Sequence, residues 1–315
     1  MRLLSVANIA NAMSVIDPAF LHTPLLRDTS ANRAVDAALC FKVETLTPIR
    51  SFKGRGTEYF VAGLHDKRPL VCASAGNFGQ GLARAGDRRG LQVTVFAAEG
   101  ANPLKVAAMR ALGAEVRLVG ADFDDAKEAA RNYSTHSGAF YVEDGAIPEI
   151  AEGAGTIALE MTQAGASLDV LLVPLGNGAL ATGMGAWMRE ASPSTRVVAV
   201  VADGAPAMQL SFHAASPITT PSTNTIADGI AVREPVPFAV TSLHGLVDEV
   251  VSVSDGAIVR AMRFAHEHLG LVVEPAGAAG LAALLEDQLR WRGATLGIPL
   301  CGGNVTPGDA RRWLV

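Results

Sequence analysis

The stretch LVCASAGNFGQGLARAGDRRGLQVTVFA, residues 70–97, changes its period twice. It opens on a short apolar run, LVCAS (70–74), and crosses a turn of small residues. From 78 to 90 apolar side chains recur at helical spacing, and QVTVFA (92–97) returns to a β-branched run. A strand, a helix and a second strand in that order form a crossover, so the two strands lie parallel rather than as a hairpin.

The same alternation extends in both directions. Strand-like runs occur at 39–43, 70–74, 92–97, 114–119, 170–174, 197–202, 249–253 and 297–301. Between them lie alanine-rich segments of helical spacing at 78–90, 103–112, 122–136, 150–165, 254–269 and 276–291. The fold class is therefore α/β, with parallel-type sheets flanked by helices on both faces. The runs at 70, 92 and 114 recur about every 22 residues, which marks a compact smaller domain. The division expected is a small domain over 69–146, inserted into a large one made of 1–68 plus 147–315.

Composition narrows the function classes. A net charge of −5 with scattered Lys and Arg gives no footprint for nucleic acid. No uninterrupted run of about 18 apolar residues suggests a membrane span. Three widely spaced cysteines, Cys40, Cys72 and Cys301, form neither a disulfide framework nor a zinc knuckle. MRLLSVANIANAM at the start is interrupted by Asn8 and Asn11 and reads as a structural segment rather than a signal peptide. A cytoplasmic protein is expected.

In sheets of this kind ligands bind beyond the carboxyl ends of the strands, where loops lead into helices. ASAGNFGQG (73–81) is one such turn, and its small residues let backbone N–H groups face a carboxylate or phosphate. VPLGNGALATG (173–183) is a second. Gly176 and Gly178 permit close approach, and a helix from about Leu180 offers the positive end of its dipole to a phosphate. The same stretch satisfies G-x-G-x-x-A, with Asp203 past the next strand where a ribose-binding acid would belong, so a nicotinamide oxidoreductase is an alternative. PLCGGN (299–304) is the third, a tight turn that places Cys301 at the sheet's edge. SFKGRG (51–56) adds a lysine between an apolar residue and two glycines.

An amine, an anion-binding turn, a phosphate cradle and a small polar group at the last strand are the parts that pyridoxal phosphate requires. In order, SFKGRG, SAGNFGQ, GNGALATG, VEPAGAAG and LCGGN resemble the serine/threonine dehydratases of the tryptophan-synthase-β-like group, the fold type II pyridoxal-phosphate enzymes. EGAGTIALE (152–160) and TIADGIAV (225–232) are similar to that group as well, so the resemblance runs from about residue 20 to 306.

That resemblance implies roles. Lys53 is the Schiff-base lysine and general base, with Phe52 beside the cofactor ring. Asn77 meets the ring's 3-hydroxyl oxygen. Gly176, Asn177, Gly178, Ala179 and Leu180 cradle the phosphate, Cys301 faces the pyridine nitrogen, and Glu274 sits near that ring edge. Ser74, Ala75, Gly76, Asn77 and Phe78 meet the substrate, the backbone amides of Ser74, Gly76 and Asn77, with the Ser74 hydroxyl, holding its carboxylate. The implied reaction is β-elimination from a small 3-hydroxy amino acid such as L-threonine or L-serine, giving a 2-keto acid and ammonia. β-Replacement of the cysteine-synthase type is the alternative within the group. A homodimer is implied.

Four departures qualify the resemblance. The phosphate loop reads Gly-Asn-Gly-Ala where four glycines are common. Ala75 stands where racemising relatives carry a serine, so racemisation is not expected. VADGAPAMQ (201–209) lacks the spaced acids of cation-binding relatives, so no metal is expected. The sequence runs only a few residues past CGGN, so an appended regulatory domain is not expected.

Overall fold

The computed structural model describes residues 4–121 and 123–314. Among the described residues ten strands are present: β1 Leu25–Arg27, β2 Ala38–Val43, β3 Leu70–Ala73, β4 Val93–Ala97, β5 Glu115–Leu118, β6 Phe140–Tyr141, β7 Val170–Pro174, β8 Arg196–Ala202, β9 Glu249–Val253 and β10 Thr295–Leu300. They form two sheets, one of six strands in the order β1-β2-β10-β7-β8-β9 and one of four in the order β5-β4-β3-β6. Every pairing is parallel except β1 with β2. All five residues of β4 and of β7 are buried, the pattern of strands covered on both faces.

Alternation along the strands of the larger sheet sorts its two cores. Leu172, Val198 and Ile298 face one way, onto Met262 and Ala282 of the helices Asp255–Leu269 and Pro275–Glu286. Leu171, Val173, Val197 and Ala199 face the other, onto Met161 and Met184 of the helices Pro148–Gln163 and Ala179–Ala191. Five buried alanines in Pro275–Glu286 keep that helix thin enough to lie close on the sheet.

All eight expected strands are present to within two residues at either end. β1 and β6, of three and two residues, are too short to leave a periodic signal. The segment expected as helix 276–291 divides into Pro275–Glu286 and a 3₁₀ turn at Gln288–Trp291, separated by Asp287, whose carboxylate caps the second piece through the Arg290 amide. At the N-terminus, Val6–Val15 is a helix. Its interrupting Asn8 has a job: with the Ser5 amide it donates to Glu152 of the helix Pro148–Gln163, tying the segment to the core. Among the described residues no helix is long and apolar enough to cross a membrane.

Candidate active site

The carboxyl ends of β3, β6, β7 and β10 open on one cavity of about 600 Å³ between the two sheets. Its wall contains every residue to which the family resemblance gave a role: Phe52, Lys53, Ser74, Ala75, Gly76, Asn77, Phe78, Gly176, Asn177, Gly178, Ala179, Leu180, Glu274 and Cys301. Asp203, the acid of the nicotinamide alternative, is exposed and lies outside that wall.

Lys53 is the first residue of the helix Lys53–Ala62. The peptide before it is fixed by a bond from the Phe52 amide to the Cys301 carbonyl, 3.0 Å, and by the Ser51 amide donating to Thr47 Oγ1, 2.9 Å. Below it the helix is locked by Arg55, which is wholly buried. Its guanidinium meets Glu44 at 2.9 Å and Glu160 at 2.7 Å, and Lys42 meets Glu160 at 2.6 Å. Two cations and two anions balance there, so the charges are buried as a neutral set. Burial alone would raise the Glu160 carboxyl, but Arg55 and Lys42 bring it down to about 2. The Lys53 amine lies 4.8 Å from the centre of the Phe52 ring and 2.6 Å from Asp144 Oδ2.

The turn after β3 differs in detail from its expectation. The helix begins inside the motif, at Asn77 with Gly76 as N-cap. The Ser74 amide is taken by the Phe96 carbonyl of β4 at 2.9 Å, so it is not a carboxylate donor. Ser74 Oγ accepts from the Gly76 and Gly79 amides, so the Gly76 amide is engaged as well, and of the three expected backbone donors only the Asn77 amide is left, with the Ser74 hydroxyl still able to donate.

Asn77 is held from both sides. Its Nδ2 donates to Glu274 Oε1 at 2.5 Å, and its Oδ1 accepts from Asn304 Nδ2 at 2.8 Å. Burial, with Asp228 adding, pushes the Glu274 carboxyl up to about 7. Its second oxygen is buried without a partner. Gly302 has to be glycine here, because a Cβ would fall 2.1 Å from Glu274 Oε1. Cys301 closes this end of the cavity. It follows an interior strand, β10, rather than standing at a sheet edge. Burial, then the charges of Glu274 and Glu44, push its thiol well above the ordinary range, so it stays neutral.

The turn after β7 is an anion seat in its backbone. Gly178, at φ +96°, is the N-cap of Ala179–Ala191, and no side chain caps that helix. The first amides of an α-helix have no partner within it, so they are available to a ligand.

Among the charged residues of the wall that were not foreseen are Lys105, Asp124, Asp144, Asp228 and Arg233. Lys105 pairs with Asp228, and Arg233 with Asp124. Lys105 and Asp144 also follow strand ends, β4 and β6. A search of every strand-to-helix turn would have reached Lys105, while β6 is too short to reveal the turn that carries Asp144.

Comparison with known proteins gives a consistent outcome. The pyridoxal-phosphate-dependent enzyme family matches residues 16–302. An L-threonine ammonia-lyase from Geobacter sulfurreducens is 36% identical over 286 residues, covering 90% of this chain and 71% of the relative. An L-threonine ammonia-lyase from Thermotoga maritima is 32% identical over 306 residues, 96% of this chain and 76% of the relative. Among solved structures, maize serine racemase superposes with a TM-score of 0.92 at 30% identity, covering 98% of this chain and 96% of that one.

Proposed function

Because the chain belongs to the pyridoxal-phosphate-dependent enzyme family and works with that cofactor, we propose that it is an ammonia-lyase taking L-threonine or L-serine to a 2-keto acid. The observation that carries this reading is the convergence of Lys53, the Ser74 turn and the uncapped Gly178 helix on one cavity. A volume of about 600 Å³ suits a cofactor together with a small amino acid. The residues fit the cofactor by a structural test as well. Glu274 keeps a buried oxygen with no partner, and the helix at Gly178 has no cap of its own.

Lys53 would hold the cofactor's aldehyde, with Phe52 along the ring, and Gly176 to Leu180 would seat its phosphate. Asn77 would meet the ring hydroxyl, with Glu274 and Cys301 at the nitrogen side. When bound, the cofactor supplies an electron sink that makes the α-hydrogen of an amino acid acidic. The protein does the rest. Ser74 and the turn behind it orient the substrate carboxylate, and Phe78 bounds the side-chain end of the pocket. Lys53 Nζ takes the α-proton.

A neutral Cys301 thiol cannot hold a ring nitrogen as a stable cation. That supports loss of a group from the β-carbon over reprotonation of the cofactor. Ala75 in the cavity wall supports elimination without racemisation, because a methyl group carries no proton to deliver.

We also infer a cytoplasmic homodimer in which 69–146 acts as the substrate-binding domain and 1–68 plus 147–315 as the cofactor-binding domain. The separate four-stranded sheet β5-β4-β3-β6 supports that division.

The test is a keto-acid assay over a panel of 3-hydroxy amino acids, together with the visible spectrum of the purified protein. L-Threonine and L-serine should yield 2-keto acid and ammonia. Lys53→Ala should lose turnover by more than about 10²–10⁴-fold, the usual worth of a general base, and should lose the visible band with it. Product from no 3-hydroxy amino acid would refute the reading, and consumption only with an added thiol would favour β-replacement.

A further inference from the structure

We propose that Asp144 is the proton partner of Lys53: its carboxylate holds the lysine amine whenever that amine is free and neutralises the charge it gains on taking the α-proton. This deepens the function proposed above and rests on Lys53 being the reacting amine.

Three observations converge on this residue. Asp144 Oδ2 lies 2.6 Å from Lys53 Nζ, and both side chains line the cavity. The second carboxylate oxygen, Oδ1, is buried with no partner, so the group is not placed where its own hydrogen bonding is best met. The turn that carries it is braced on both sides. Glu143 is clamped by Lys127 at 2.7 Å and Arg131 at 2.9 Å, both from the helix Phe123–Ser137. Gly145, at φ +84°, lies so close to the Asn177 peptide that a Cβ would fall 2.0 Å from its carbonyl oxygen. The turn that carries the carboxylate is therefore fixed against the Asn177 peptide, while the carboxylate itself meets the Lys53 amine.

The chemistry follows from that placement. As the α C–H bond breaks, its proton passes to Lys53 and the electron pair stays on carbon. That pair then forms the Cα=Cβ double bond as the β C–O bond breaks, the departing oxygen takes the C–O electron pair, and water leaves once that oxygen receives the proton back from Lys53. The protein neither gains nor loses a proton overall. Between the two transfers Lys53 is an ammonium, and a carboxylate in contact with it stabilises that state. The same contact engages the amine that must attack the cofactor's aldehyde. Asp144 should therefore slow one process and speed the other.

Cofactor-free wild-type protein and Asp144→Asn are mixed with pyridoxal phosphate and quenched at intervals with borohydride, and label on Lys53 is followed by peptide mapping. Asp144→Asn should be labelled roughly 3- to 10-fold faster, the size expected for losing one opposite charge in contact. In the loaded enzymes, exchange of the α-hydrogen of L-serine should be about tenfold or more slower in the variant. Asp144→Glu should restore part of both. Equal slowing of both rates, or no change in either, would overturn the proposal. If neither Asp144→Asn nor Asp144→Ser gives folded protein by circular dichroism, Asp144 is a structural strut and the proposal fails. Absence of Lys53 label in the wild type would refute the parent reading instead.

Discussion

Glu274 shows how a single carboxyl can serve the site at the expense of the fold. It is 4% exposed and lies beside Asn77 and the neutral Cys301, where water cannot solvate its charge. Its ordinary value of 4.5 rises to about 7, chiefly through burial. The folded form thus binds a proton that the unfolded form has released. The stability this contributes is fully present below about pH 4.5 and is lost as pH rises through 7. In cofactor-free protein, urea midpoints of wild type and Glu274→Gln should diverge between pH 5 and 8. Wild type should lose about 2–3 kcal/mol more than the variant over that range. Parallel curves would show that the carboxyl is hydrated after all. The sequence placed Glu274 near the cofactor ring, and it placed glycines after Cys301. What no local reading could supply is why Gly302 is glycine: the carboxyl that excludes its Cβ comes from 28 residues away.

The helix Lys53–Ala62 carries the lysine proposed to react, and no helix was expected there from the sequence. Two glycines in its first turn lower its propensity, and it buries an arginine along with Phe60 and Val61, so no amphipathic stripe appears. The strands and the outer helices were legible because burial on one face or both imposes a period. This helix answers instead to distant partners. A Cβ on Gly54 would enter the Phe20 ring at 2.0 Å, and one on Gly56 would fall 2.4 Å from the Ile150 carbonyl. Gly56→Ala would gain about 1 kcal/mol in propensity but must displace backbone of the helix Pro148–Gln163. Overpacking of that kind costs about 1–3 kcal/mol or more. The clash wins, and both stability and cofactor binding should fall. Gly63→Ala is the control, since its φ of −79° and nearest contact of 3.6 Å accept a methyl group. It should be neutral or stabilising by up to about 1 kcal/mol. Arg55→Leu should cost about 3–5 kcal/mol, because Glu44 and Glu160 would then share only Lys42. Thermal unfolding of the three variants decides the ranking, and a stable Gly56→Ala would mean the two helices can part cheaply.

Across the whole molecule, the cavity lies between two sheets, so anything linking them governs access to it. Two ion pairs on its wall do so: Lys105, from the helix after β4, with Asp228, and Asp124, from the helix after β5, with Arg233. Asp228, which opens the 3₁₀ turn Asp228–Ile230, and Arg233 both belong to the connection between β8 and β9 of the larger sheet. The Lys105 amine also lies 3.8 Å from where a Cβ of Gly76 would stand, so the link lies over the turn proposed to hold the substrate. Asp228 is 60% exposed, and a pair of that kind contributes little to folding, about 0–1 kcal/mol. Its weight falls on closure. Lys105→Met and Asp228→Asn break the same pair, so each should raise KM for the amino acid several-fold while kcat stays within about threefold. Unfolding midpoints should barely move. Wild-type KM should climb with ionic strength as the pair is screened, on a scale set by a Debye length of about 10 Å at 0.1 M, and the variants should lose most of that dependence. Matching behaviour of the two variants is the decisive feature. A rise in KM confined to Lys105→Met would assign the amine to the substrate carboxylate, and the link across the cavity would then be incidental to closure.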